Sequence, residues 1–309
     1  MSLLPSDLTV MKTEFAKMHG LGNDFILIDC REIEPRDLSF LAERLCHRRF
    51  GIGADQLLLI YPSTVADFRM RIFNPDGSEV EMCGNGIRCL AKYVWDRGLS
   101  DKSVIDVETL AGIIRPKKSD GLVTVDMGEP VLEPDKIPVK VSQSSKVKGQ
   151  EGKNLSPNLA ALSLKPVIDY PLKIEDREFK ITCVSMGNPH AVIVVDDTAN
   201  FPVAYYGPRI ENNALFPQRT NVEFIEVPNA SEIVMRVWER GAGETMACGT
   251  GAAAAAVAAH IKGLTGRKAA VHLAGGDLTI EWSGDDHVYM TGPAVEVFTG
   301  EIEIDSAGR

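Results

Sequence analysis

The sequence predicts an α+β (mixed α/β) protein built as two similar halves from an internal duplication. Three observations predict it. The chain has 309 residues, long for one core, so two domains of about 150 residues each are the natural reading. A Cys-Gly-x-Gly motif occurs twice, in "EMCGNGIRC" at 81–89 and in "MACGTGA" at 246–252, and its cysteines, Cys83 and Cys248, stand 165 positions apart (248 − 83). Each half carries several segments with β-branched alternation and one helical segment that starts directly behind its Cys-Gly-x-Gly.

The 165-residue offset holds along the chain in order. Gly22-Asn23 in "GLGNDF" falls on Gly187-Asn188 in "MGNPHAVIVV", and each is followed by an apolar run, "FILI" or "AVIVV", that reads as a buried strand. Gln56 in "DQLLLI" falls on Asn221 in "TNVEFI", an amide just ahead of a strand in both cases. Met70-Arg71 in "FRMRIFN" falls on Met235-Arg236 in "IVMRVWE". The helices are then expected in "NGIRCLAKYVWDRG" (85–98) and "GTGAAAAAVAAHIKG" (249–263), one per half. Further strands are expected in "VIDVETL", "LVTVDM", "KITCV" and "LTIEW". Alanine at nearly every position of the second helix fits a helix buried within a curved sheet, and also plain helix propensity. The polar, Lys-rich stretch 140–162 reads as a linker or surface excursion.

Composition narrows the function. With 33 Lys and Arg against 43 Asp and Glu the net charge is −10, so no basic excess is available for a nucleic-acid partner. The longest small-apolar run, 252–259, is too short to span a bilayer, and no membrane association is expected. The start, "MSLLPSDLTVMKTEF", has no basic opening and no long apolar region, so no signal peptide is read there, and Met11 reads as an alternative start. Six scattered cysteines in a long chain predict reduced thiols and a cytoplasmic location. No Cys or His pair has zinc spacing, no GxGxxG precedes a suitably spaced acidic residue, and no lysine motif points to pyridoxal phosphate. No metal and no cofactor are therefore expected.

A cysteine at a helix entry sits beside unpaired N–H groups and the positive end of the helix dipole, which favours a thiolate and can lower its pKa. Flanking glycines leave those N–H groups accessible to a carboxylate. Two such loops related by duplication can face each other across a cleft. Inverting a stereocentre needs a proton removed from one face and another delivered to the opposite face, a task for two acid/base groups, one ionised and one protonated. Negative charge building on the α-carboxylate would be stabilised by the helix N-termini. Cys89 is expected in a helix core and Cys183 in a strand. Cys30 and Cys46 have no counterpart at the offset, so all four read as packing residues.

"MHGLGNDF" (18–25), "NPDGSEVEMCGNGIRC" (74–89), "GNPH" (187–190) and "WERGAGETMACGTGA" (238–252) closely resemble the diaminopimelate epimerase family, and the resemblance runs from about residue 13 to the C-terminus. It implies a cofactor-independent, two-base epimerase that interconverts LL- and meso-diaminopimelate, in lysine and cell-wall precursor biosynthesis. It implies two pseudo-symmetric domains, each a β-barrel-like mixed sheet around a central helix: 1–128 plus 295–309 carrying Cys83, and 129–294 carrying Cys248. Cys83 and Cys248 match the catalytic thiols. Gly84, Asn85, Gly249 and Thr250 would give donors to the reacting carboxylate. Asn23, Gln56, Asn74, Asn188, Asn221, Glu239 and Arg240 match substrate-contacting positions, with Arg240 a bidentate fork for the distal carboxylate and Glu239 a partner for an ammonium. His190 and Glu239 match positions that tune the thiols. Phe298 in "VFTG" stands where some members carry a Tyr at a dimer contact, which weakens the case for a homodimer without excluding one and leaves the oligomeric state open. Residues 140–165 look longer than the family's pattern, and Met246 stands where Gln is usual.

Two other readings compete. A proline or hydroxyproline racemase-like enzyme shares the fold and the two-thiol logic, but its first motif continues Cys-Gly-His, and proline lacks the second charged end that Glu239-Arg240 would serve. A binding protein that only captures an amino acid has no need of paired thiols. Oxidation of Cys83 and Cys248 to a disulfide is expected as an inactivating side reaction.

Overall fold

The structure, a computed structural model, describes residues 8–141 and 165–307. The chain divides into two compact units: Met1–Asp126 with Met290–Arg309, and Met127–Tyr289. The stretch expected as a linker at 140–162 lies, after its first two residues, outside the described residues.

Unit one opens with β1 (Leu8–Gly20) and β2 (Asn23–Asp29), followed by α1 (Leu38–Cys46), β3 (Gln56–Tyr61), β4 (Phe68–Phe73) and β5 (Glu79–Val80). Then come α2 (Gly84–Asp96), β6 (Val107–Thr109), β7 (Gly112–Ile114), and the hairpin of β8 (Lys117–Ser119) and β9 (Leu122–Asp126). In unit two the elements are β10 (Tyr170–Ile174), β11 (Arg177–Ser185), β12 (Pro189–Val194), α3 (Val203–Glu211), β13 (Asn221–Asn229) and β14 (Glu232–Glu239). They continue with β15 (Gly243–Thr245), α4 (Gly249–Ile261), β16 (Lys268–Leu273) and β17 (Gly276–Trp282). The strand β18 (Val288–Gly292) carries the chain back to unit one, which ends in β19 (Val295–Ala307).

The two sheets repeat one plan. In unit one the order is β19-β1-β2-β3-β4-β6-β7 with β5 beside β4; in unit two β10-β11-β12-β13-β14-β16-β17 with β15 beside β14. Each has a parallel joint where a helix crosses over, Phe25 beside Gln56 and His190 beside Asn221. Those four positions match at the 165-residue offset, as do the ends of α1 and α3 and of α2 and α4. Buried on both faces, β2 and β12 read as unbroken apolar runs instead of alternating ones. On one face of the unit-one sheet Ile26, Ile28, Leu57 and Leu59 pack with Leu41, Ala42 and Leu45 of α1.

The Cys-Gly-x-Gly helix lies among the strands of its own unit. The helix α2 contacts β1, β2, β3, β4, β9 and β19; α4 contacts β11, β12, β13, β14, β16 and β17. Every residue from Gly251 to Ala259 is buried, so the alanine run serves close packing from all sides. The mixed α+β class expected from the sequence is thus the class found.

The expectation of one helix per half is corrected: each unit has a second. The short α1 is capped by Asp37, whose carboxylate accepts from Phe40 N at 3.1 Å. The sequence of α3 hides it, because Pro208 lies inside it and Gly207 interrupts its apolar spacing. That glycine is needed for close approach: a Cβ there would come within 2.5 Å of Trp238 Cγ. The expected strand 104–110 is also shorter than read, only Val107–Thr109. Residues 8–20, not read as a strand, form the long β1, paired with β19.

Candidate active site

Each Cys-Gly-x-Gly cysteine is the N-cap of a 13-residue helix, with matching extended backbone: φ −140°, ψ 117° at Cys83 and φ −127°, ψ 113° at Cys248. The first intrahelical bonds run from Ile87 N to Cys83 O and from Ala252 N to Cys248 O, both at 2.9 Å. The preceding N–H groups of each first turn therefore have no carbonyl one turn back, the arrangement that receives anions.

In unit one, the Cys83 thiol donates to Asn23 Oδ1 at 3.7 Å, and Asn85 Nδ2 donates to the same oxygen at 3.1 Å. Asn23 is anchored from behind, its Nδ2 donating at 3.1 Å to Asp55 Oδ2, which also accepts from Asp24 N. A separate pair joins Gln56 Nε2 to Asn74 Oδ1 at 2.9 Å, and Asn74 Nδ2 donates to Ser78 Oγ at 3.0 Å. Gln56 Oε1 and Asn85 Oδ1 are buried with no hydrogen-bond partner among the described residues; such polar atoms are available to a polar ligand. Behind the loop the guanidinium of Arg88 is fully buried and donates to Pro293 O at 3.1 Å and Gly84 O at 3.4 Å.

In unit two, Cys248 Sγ accepts from Gly251 N at 3.4 Å and lies 3.5 Å from Thr250 Oγ1. Asn188 Nδ2 donates to Thr250 Oγ1 at 3.3 Å, and Asn188 Oδ1 lies 2.9 Å from His190 Nε2. The other ring nitrogen of His190 lies 2.7 Å from Glu223 Oε1, both side chains being fully buried. Asn221 Nδ2 donates to Pro189 O at 3.0 Å, and its Oδ1 accepts from Arg240 N at 2.9 Å. Arg240 Nη1 donates to Gln218 O at 3.1 Å, and Glu239 Oε1 accepts from Thr245 Oγ1 at 2.5 Å.

The expected lowering of a thiol pKa by the helix start is corrected for Cys248. Burial pushes this thiol well above its ordinary range, and Glu239 adds to the rise; the bonds from Thr250 and Gly251 oppose it without cancelling it. Burial likewise pushes the Glu223 carboxyl up, against the pull of His190. Cys30, Cys46, Cys89 and Cys183 are all buried, in keeping with packing roles.

The structure thus joins Cys83, Asn23 and Asn85 in one hydrogen-bonded set, and Cys248, Thr250, Asn188 and His190 in another. Gln56 with Asn74, and Asn221 with Arg240, form separate contacts, while Glu239 bonds to Thr245. Gly84 and Gly249 open the two helices. Asp55 and Glu223 were missed by sequence reasoning. Glu223 could have been found: at the offset that aligns "QLLLI" with "NVEFI", it replaces Leu58 in a buried strand, and His190 replaces Phe25. A charge in an apolar slot is the signal.

Comparison with known proteins gives a consistent result. The family described as Diaminopimelate epimerase matches residues 15–133 and 182–297. A diaminopimelate epimerase of Moorella thermoacetica is 55% identical over 298 residues, covering 94% of this chain and 99% of its own length. One from Methanococcus maripaludis is 50% identical over 298 residues, covering 94% and 100%. Among solved structures, a phenazine biosynthesis protein of the PhzF family from Bacillus anthracis has a TM-score of 0.64 at 19% identity, covering 94% of this chain and 99% of its own. A hydroxyproline epimerase from Agrobacterium vitis has a TM-score of 0.61 at 15% identity, covering 95% and 92%. At those identities the solved structures speak to the fold alone.

Proposed function

The chain belongs to the diaminopimelate epimerase family, and from that premise we propose that it interconverts LL- and meso-diaminopimelate without a cofactor. Cys83 and Cys248 are its two acid/base groups. The observation that carries this is the pair of cysteines at matched N-caps of duplicated helices. One sulfur, as thiolate, takes the α-proton; the C–H electron pair moves onto the α-carboxylate; the other sulfur, as thiol, returns its own proton to the opposite face. One proton is taken and one given, so the resting pair is regenerated with its roles exchanged. The half formed by 1–128 and 295–309 supplies Cys83, and the half formed by 129–294 supplies Cys248.

The carboxylate charge is received by N–H groups at Gly84, Asn85, Gly249 and Thr250, where the helix dipoles also favour it. Asn23, Asn74, Gln56, Asn188 and Asn221 supply neutral donors and acceptors to the amino-acid ends, Glu239 an ammonium partner and Arg240 a fork for the distal carboxylate. His190 and Glu239 tune the thiols. The reaction belongs to lysine and cell-wall precursor synthesis in the cytoplasm; no helix among the described residues is long and apolar enough to cross a membrane. The assembly proposed is a homodimer, in which the half-exposed Phe298, edge-on to Phe15 at 5.9 Å, is the residue to probe.

The test is a substrate panel with purified, reduced protein. LL-diaminopimelate should yield the meso isomer, while L-proline and trans-4-hydroxy-L-proline keep their configuration. Turnover of the proline substrates with none of diaminopimelate would move the assignment to the racemase reading.

A further inference from the structure

The pair formed by His190 and Glu223 lies on neighbouring parallel strands, under the first turn of α4. None of the substrate-contacting roles above uses the Glu223 carboxyl. Its Oε2 is buried with no hydrogen-bond partner among the described residues, and a buried carboxyl so sparsely bonded is costly. The fold does not need it, because the other unit has Phe25 and Leu58 at the matched positions. A Cβ on Gly86 would meet Leu58 Cδ1 at 3.3 Å and Phe25 Cε1 at 3.4 Å; a Cβ on Gly251 would meet Glu223 Oε1 at 2.9 Å and Cys248 Sγ at 3.2 Å. The carboxyl and the sulfur therefore crowd the same point.

The hydrogen bonds fix a direction. Asn188 can donate only from Nδ2, which faces Thr250 Oγ1, so its Oδ1 accepts from His190 Nε2, and Nε2 carries a proton. A 2.7 Å contact between His190 Nδ1 and Glu223 Oε1 requires a proton between them, and whichever atom holds it, the pair is neutral overall. Thr250, having accepted from Asn188, has its own proton to give to Cys248 Sγ. We propose that Glu223 is a positioning residue for Cys248: it holds His190 in the orientation from which the ring, the Asn188 amide and the Thr250 hydroxyl donate in sequence toward the sulfur. Such donation favours the ionised sulfur and offsets part of the cost of burying it. The titratable groups facing Cys248 are Glu223 on β13 and Glu239 on β14; those facing Glu223 are His190 on β12, Glu239 and the Cys183 thiol on β11.

The test is the pH profile of iodoacetamide alkylation at Cys248 in the Cys83→Ala protein, read by peptide mass spectrometry. Glu223→Leu should raise the apparent pKa of Cys248 by about one unit, the scale of a lost hydrogen bond to a charged group. Thr250→Val should do the same, and the double variant should shift no further than Thr250→Val alone, because Glu223 acts through Thr250. Were Glu223 only a nearby negative charge, its removal would lower the apparent pKa. A fall, no change, or additive shifts in the double variant would overturn the proposal. Should Glu223→Leu fail to fold with His190 left unpartnered, His190→Phe with Glu223→Leu reproduces the apolar pair of the other unit; the same rise is expected, and its absence is equally fatal. The proposal rests on Cys248 acting as an acid/base thiol. Alkylation is read without substrate, so a protein unable to epimerise diaminopimelate still gives a separate answer here.

Discussion

Asn188 donates to Thr250 at 3.3 Å, whereas at the matched positions of unit one the helix residue donates to the turn residue, Asn85 to Asn23 at 3.1 Å. The duplicated loop is thus wired with opposite polarity. Asn23 presents an oxygen that accepts from the Cys83 thiol, while Cys248 faces the Thr250 hydroxyl and the Gly251 N–H. Two bases of one epimerase need different protonation states at any instant, and a duplication with reversed hydrogen bonds can supply that difference. Thr250→Val should therefore lower kcat about tenfold, the scale of one hydrogen bond to a charged group, while Thr250→Ser, which keeps the hydroxyl, should restore most of it. Equal loss in both variants would show that the hydroxyl is not the relevant feature.

The two helix-start glycines should respond unequally to alanine. At Gly251 the added carbon meets a hydrogen-bonded carboxyl and the Cys248 sulfur; at Gly86 it meets the flexible ends of Ile72 and Leu58, at 3.1 and 3.3 Å. Gly251→Ala should cost about 1–3 kcal/mol, the range for overpacking, and lose most activity. Gly86→Ala should cost less on both counts. Urea denaturation with parallel rate measurements compares them directly.

Arg240 is placed by its backbone N–H on Asn221 and by Nη1 on Gln218 O. In the proposed role it grips the end of the substrate that does not react. Arg240→Ala should then raise KM about a hundredfold and lower kcat less, the pattern of lost uniform binding. Arg240→Lys should recover only part of the affinity, because a point charge replaces a fork. A fall in kcat with KM unchanged would count against this role.

Burial pushes the thiols of Cys30, Cys46 and Cys89 up to about 12 from 9.0. An acid whose folded pKa is raised binds more protons folded than unfolded, so its contribution to stability is complete below pH 9 and is lost as pH climbs toward 12. The Tm should fall through that window, and less steeply in Cys89→Ala. Identical slopes in the two proteins would show that Cys89 does not contribute.

Much of this was legible in the sequence because the duplication could be read as one constant offset. Cys83 and Cys248, the amides at Asn23 and Asn188, and the strand starts at Gln56 and Asn221 all lie on it. The second helix of each unit was not legible. Gly207 and Pro208 are poor helix residues, tolerated because α3 lies against Trp238, a contact only the fold reveals. The direction of the Cys248 shift was also out of reach, because the dipole effect is local to the motif whereas the burial that raises this thiol depends on the strands packed around it. Asp55, which anchors Asn23, lies in an irregular stretch with no periodic signal.

The most direct test is isotope exchange. Purified, reduced protein is incubated with LL-diaminopimelate in D2O, and the α-proton is followed by NMR as the meso isomer forms. Deuterium should enter the inverted centre of the product, and Cys83→Ala and Cys248→Ala should each lower the epimerisation rate about a thousandfold or more, a loss on the scale of general acid–base catalysis. Full inversion in either single variant would contradict the two-thiol account.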